Sequence, residues 1–142
     1  MSAEADILFI ENDLTDAVRV LEALKSLGRR ERFLWVRTGE DALEHIFGPE
    51  GDLRRKMPQQ FRGVLMNLRL PGMGGHEVLK AVKSHPQARI MPVVILTGSK
   101  DQKDVATSER WGALSYLNMP VTARQLASVL EEIDLYWRVH RN

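Results

Sequence analysis

Short unbroken apolar runs alternate along the chain with stretches whose apolar residues recur every three or four positions. The runs are Ile7-Leu8-Phe9-Ile10, Phe33-Leu34-Trp35-Val36, Gly63-Val64-Leu65-Met66, Pro92-Val93-Val94-Ile95-Leu96-Thr97 and Ala113-Leu114-Ser115-Tyr116-Leu117. A run that is apolar at every position, without alternation, predicts a strand covered on both faces. Between the runs, Leu14, Ala17, Val18, Leu21 and Leu24 predict a helix stopped by Gly28, and Leu43, Ile46 and Phe47 predict a second opened by Thr38-Gly39-Glu40-Asp41. Val78, Leu79 and Val82 mark a third, closed by Pro86. A fourth is capped by Ser99-Lys100-Asp101-Gln102 and ends at Trp111-Gly112. A fifth, after Thr122-Ala123-Arg124-Gln125, carries Leu126, Val129, Leu130, Ile133 and Trp137 on one face. Five strands alternating with five helices predict an α/β fold, a doubly wound parallel sheet with helices on both faces. Gly48 to Arg62 is the longest irregular stretch and contains Arg54-Arg55-Lys56, which reads as a solvated loop.

Composition narrows the class without naming it. The chain has 142 residues, 44% hydrophobic and 27% charged, which suits one globular domain. A net charge of +1 gives no global field for nucleic acid or an anionic membrane, and no helix-turn-helix or aromatic-interleaved basic stripe is evident. The absence of cysteine excludes disulfides and thiolate metal sites and fits a cytoplasmic setting. No apolar run is long enough to span a bilayer, and Met1 to Asp6 lacks a signal-peptide pattern. His45, His76, His85 and His140 lack metal-ligand spacing, and His45 and His76 read as helix-surface residues. Gly72, Gly74 and Gly75 lack the lysine-hydroxyl pair of a phosphate loop. The expectation is a single domain over residues 1–142 with no effector domain.

In such folds the site lies at the carboxyl ends of the strands. There the chain places Glu11-Asn12-Asp13, Asn67, Thr97 and Asn118-Met119-Pro120. The stretch Asn67-Leu68-Arg69-Leu70-Pro71-Gly72-Met73-Gly74-Gly75 shows an apolar strand ending in a polar residue with a Pro/Gly-rich turn after it. From Ile7 to Trp137 this ordered series resembles response-regulator receiver domains. The long loop after the second helix, the turn after Asn67 and the ending Leu135-Tyr136-Trp137 resemble the small stand-alone regulators that partner bacterial phytochromes. The resemblance implies strand order 2-1-3-4-5 and a partner sensor histidine kinase or other signalling protein.

Receivers move a phosphoryl group from a kinase histidine to an aspartate. That requires a carboxylate nucleophile, acidic Mg²⁺ ligands, a hydroxyl and a lysine, because positioning and charge neutralisation supply most of the catalysis. Set against that pattern, Glu11 matches the first acidic position and Asn12 is a neutral amide at the second. Asp13 is an acid one residue late, where helix capping competes with a metal role. Asn67 stands at the nucleophile, Thr97 at the switch hydroxyl, Tyr116 at the switch aromatic, and Met119 at the lysine before Pro120. The resemblance implies a cis peptide before Pro120, whereas sequence alone favours trans. Losing aspartate and lysine together removes charges of both signs, which argues for a degenerate receiver that is not an enzyme. Mg²⁺ at Glu11, Asn12 and Asn67, with Asp13 as a further candidate ligand, is expected to be weak or absent, and no cofactor is required. Trp111, Tyr136 and Trp137 are candidates for a partner surface, with a homodimer through the last two helices. The alternatives are a working phosphoacceptor carrying an Asp→Asn change at Asn67 or using a nearby carboxylate, and a flavodoxin-like enzyme. Glu11-Asn12-Asp13 argues against the latter, because it would repel a cofactor phosphate.

Overall fold

In the computed structural model, residues 5–49 and 59–140 are described; Arg54-Arg55-Lys56 lies outside them. The elements are β1 (Ile7–Ile10), α1 (Leu14–Ser26), β2 (Phe33–Val36), α2 (Gly39–Phe47), β3 (Gly63–Met66), α3 (Gly75–Ser84), a 3-10 turn (Ala88–Ile90), β4 (Val93–Thr97), α4 (Gln102–Arg110), β5 (Ser115–Asn118) and α5 (Ala123–His140). The strands form one parallel sheet in the order β2-β1-β3-β4-β5. The fold is the doubly wound α/β sandwich that alternation and the resemblance implied.

Period-two geometry explains the unbroken runs. Leu8, Ile10, Val64, Met66, Val93 and Ile95 face one way and join the layer completed by α2 and α3. Ile7, Phe9, Leu65, Val94 and Leu96 face the other way and join α1 and α5 through Ala17, Val20, Leu24, Leu126, Val129, Leu130 and Ile133. Each strand thus needs apolar residues at both parities. A salt-bridge cluster fastens α5 to the amino-terminal end of the sheet: Arg29 bonds Glu31 and Asp134, and Arg62 bonds Asp134 at 2.7 Å. Burial pushes the Asp134 carboxyl up, but hydrogen bonds from Arg62 and Arg29 outweigh it and hold the group low.

Several local expectations need correction. On α1 the core face is Ala17, Val20 and Leu24, whereas Leu14 is 57% and Val18 42% exposed. The buried stripe is narrower than the apolar pattern and rotated from it. The fifth strand runs over Ser115–Asn118, because Ala113 and Leu114 still form the entry from α4. The N-cap of α4 is Asp101, whose carboxylate accepts from the Lys103 amide, so Ser99 lies outside the helix. His76 is half-buried against the Ser108 hydroxyl at 3.0 Å rather than a plain surface residue. The Thr122–Gln125 box does form, with reciprocal bonds of 2.8 and 3.1 Å. The Met119–Pro120 peptide is cis, as the resemblance implied.

Gly75 opens α3 pressed against the segment that carries Asn67. A Cβ there would lie 2.7 Å from the Asn67 carbonyl oxygen and 2.7 Å from the Leu68 Cα, whereas at the neighbouring Gly74 it would meet nothing within 4 Å. Backbone cannot yield as a side-chain tip can. Gly75→Ala is therefore expected to destabilise the fold by about 1–3 kcal/mol, the usual cost of overpacking, and Gly74→Ala by about 0.5 kcal/mol or less. Urea denaturation of the two variants checks the contrast.

Candidate functional site

The carboxyl edge of the sheet gathers the polar strand ends. The Asn67 amide donates to the Ile10 carbonyl at 3.0 Å, and that of Glu11 to Val36 at 3.1 Å, so the ladder continues one residue past each strand. This brings the two side chains together in a closed site: Glu11 is 1% and Asn67 8% exposed. Asn67 Nδ2 donates to Glu11 Oε1 at 2.9 Å and Oε2 at 3.1 Å. Its Oδ1 accepts from the Arg69 amide at 3.0 Å, and Glu11 Oε2 also accepts from the Asp13 amide at 3.0 Å. With Oδ1 facing a backbone donor and Nδ2 a carboxylate, the amide orientation is fixed by its neighbours.

Burial pushes the Glu11 carboxyl above its ordinary 4.5; the bonds from Asp13 and Asn67 oppose this without cancelling it, and Asp16 and Asp13 add repulsion. An acid raised by folding stabilises the native state most when protonated in both states. Its contribution is full below the unfolded pKa and is lost as pH rises through the folded one.

The neighbouring acidic positions are turned to structural tasks. Asn12 Nδ2 donates to the Arg37 carbonyl at 3.4 Å, and Arg37 Nη2 donates to the Asn12 carbonyl at 2.6 Å. Asp13 is the N-cap of α1, its carboxylate accepting from the Asp16 amide at 2.9 Å. A divalent cation of the Mg²⁺ kind needs several convergent oxygens. Here one buried carboxylate is met by a nitrogen, the Asn67 oxygen is turned to Arg69, and the Asp13 carboxylate is bonded to its own helix. Among the described residues no group of three His, Cys, Asp or Glu side chains is placed to hold a metal.

Across the cleft, Thr97 is fully buried and its hydroxyl accepts from the Ser99 amide at 3.4 Å. Met119 donates its backbone N–H to the Thr97 carbonyl at 2.8 Å, and its side chain packs on the apolar layer of α1 and α5. Tyr116 packs on the opposite layer. Its hydroxyl donates to the Ser99 carbonyl at 2.9 Å, and Asn118 Nδ2 donates to the same oxygen at 2.7 Å. Ser99 Oγ donates to Asp104 Oδ2 at 2.5 Å, and Arg69 stands 3.6 Å from that carboxylate. The connection after β4 is thereby held from β5, from α4 and from the turn after Asn67. Sequence reasoning missed this latch. Its signal is the polar run from Ser99 to Asp104, whose first four residues read from sequence as a helix cap.

Of the aromatic candidates, Tyr136 and Trp137 meet edge to face with ring centres 5.3 Å apart. Trp111 packs on the α2–α3 layer with Lys80 Nζ 5.1 Å from its ring centre. Tyr136 bonds the Ile90 carbonyl, and Trp137 Nε1 donates to the Arg62 carbonyl at 2.6 Å. His85 is buried and accepts from the Gln87 and Ala88 amides.

Comparison with known proteins assigns the class. Residues 7–131 match the response regulator receiver domain family, and the chain belongs to it. It is 37% identical over 131 residues to a probable methanogenesis regulatory protein, FilR2, of Methanothrix harundinacea, covering 92% of this chain and 82% of that one. It is 28% identical over 131 residues to response regulator Rcp1 of Synechocystis, covering 92% and 87%. Among solved structures, the bacteriophytochrome response regulator RtBRR superposes with a TM-score of 0.76 at 34% identity over 89% of this chain and 76% of that one. A receiver domain from Rhodospirillum rubrum gives 0.75 at 32% identity over 94% and 93%. The protein is thus a receiver domain of two-component signalling, related to phytochrome response regulators. No described helix is long and apolar enough to cross a membrane.

The raised Glu11 carboxyl generates a pH dependence. The stability difference, wild type minus Glu11→Gln, is expected to fall as pH rises from below the ordinary 4.5 through the raised folded-state value. Urea unfolding at a series of pH values measures it.

Proposed function

We propose that this domain signals by protein–protein contact without accepting a phosphoryl group. The observation that carries the reading is the bond from Asn67 Nδ2 to both oxygens of Glu11. An acyl-phosphate forms when a carboxylate oxygen attacks phosphorus. At Asn67 the nitrogen lone pair is delocalised into the carbonyl and the oxygen carries no full charge. Glu11, the buried carboxylate beside it, already accepts three hydrogen bonds. Met119 supplies no cation for phosphoryl oxygens, and Mg²⁺ binding is correspondingly weak.

The latch on Ser99 supports an output that does not wait for phosphorylation, since every group in it finds its partner within the chain. A sensor kinase or another signalling protein is the expected partner. The exposed Leu14 and Val18, one turn apart beside the cleft, offer an apolar contact for it. Leu135 at 58% and Val139 at 71% exposure on α5 offer a second, which suits a homodimer.

Incubation with a phosphodonor kinase should leave no alkali-labile label on this protein; such a label would overturn the reading. Asn67→Asp should place two carboxylates face to face in a closed site. It should lose about 1–3 kcal/mol of stability without divalent cation and recover much of it with Mg²⁺. Wild type should show little change on adding Mg²⁺, and thermal melts with and without the ion compare the two. Leu135→Glu with Val139→Glu should shift the chain toward monomer in sedimentation equilibrium.

A further inference from the structure

At the end of the sheet opposite Asn67, a groove of about 610 Å³ is bordered by the last turn of α3, the 3-10 turn, the α4–β5 connection and the end of α5. Lys83, Arg89 and His140 line it together with Gln87 and Tyr136, and among the described residues no carboxylate does. The acid nearest in kind on α5, Asp134, is engaged by Arg29 and Arg62. Glu132, one turn before Tyr136, is not among the lining residues.

Each basic group has unused donor capacity. Lys83 Nζ donates to the Arg89 carbonyl at 3.0 Å and the Met91 carbonyl at 2.6 Å, and an ammonium has a third N–H. Arg89 is exposed and has no ion pair among the described residues. His140 Nδ1 donates to the Tyr136 carbonyl at 2.9 Å, so Nε2 is a donor toward an anion only when the ring is the imidazolium. Tyr136 and His140 stack with ring centres 4.1 Å apart and form an aromatic wall. Burial without a counter-ion pulls the Lys83 ammonium down to about 8. An oxyanion is the missing counter-charge.

We propose that this groove binds a small phosphate-bearing anion through Lys83, Arg89 and His140, with Gln87 as a neutral donor. The shared chemistry is a phosphoryl oxyanion, either as a free polyphosphate or on a nucleotide whose base rests on the Tyr136–His140 wall. A purely structural role for Lys83, holding the Arg89 and Met91 carbonyls, would leave Arg89 and the groove without effect on any ligand.

The test is an NMR titration of the full chain at low ionic strength, without divalent cation, using pyrophosphate in one arm and ATP in the other. Saturable amide shifts gathered at Gln87, Arg89, Gly112 and His140 are expected. Arg89→Ala should weaken binding by about tenfold, as the loss of one charge-assisted contact does. Lys83→Met should abolish it, and Arg19→Ala, an exposed change on α1, should leave it unaltered. Tighter binding of ATP than of pyrophosphate assigns the nucleotide, and equal binding assigns the polyphosphate. Shifts that do not saturate, that centre elsewhere, or that persist unchanged in Arg89→Ala overturn the proposal. Arg89 bonds no other described side chain, so its variant keeps the test valid if Lys83→Met fails to fold.

Discussion

A carboxylate buried to 1% exposure must have its charge answered, and in this chain the answer is the side-chain amide of Asn67. Two nitrogens make three contacts with Glu11, two coming from the Asn67 amide and one from the Asp13 backbone. The arrangement at the carboxyl edge follows from that requirement. Asn67 turns its nitrogen inward and its oxygen to Arg69, which sets the start of the turn into α3. Asp13 lends its amide to Glu11 and its carboxylate to α1, so the same three residues close the site and begin a helix. Neutral donors satisfy the charge at short range, and burial still leaves the carboxyl raised.

Each of the two faces of the cleft is closed by contacts of its own. Where a lysine would project, Met119 lies on the apolar layer of α1 and α5. The polar work on that side has moved to a chain of contacts running from Arg69 through Asp104 and Ser99 to Tyr116 and Asn118. Both faces are internally satisfied, and no buried side-chain nitrogen or oxygen among the described residues lacks a partner.

Much of this was legible in the chain, for identifiable reasons. Ile7 to Ile10 and Val93 to Leu96 read as doubly covered strands because both parities must be apolar. Gly28 and Gly112 read as helix stops and do adopt positive φ, 64° and 86°. Leu14 and Val18 misled because apolar residues also occur on surfaces, and spacing alone does not say which stripe faces the sheet. At the site, strand-end positions followed from topology, which brought Glu11, Asn67 and Thr97 to one edge. What each side chain does there did not follow. The Asn67–Glu11 bond joins residues 56 apart and depends on a rotamer. The groove at Lys83 is assembled from four segments spread between residues 83 and 140, which no local pattern joins.

The carbonyl of Ser99 receives two donors, Tyr116 Oη and Asn118 Nδ2, both from the strand beside it. Neither belongs to a group that gains or loses phosphate. On the function proposed above, the shape a partner meets is set when the chain folds. Such a protein conveys information by abundance: its message grows with the number of copies made, and it is erased by dilution or proteolysis rather than by a phosphatase.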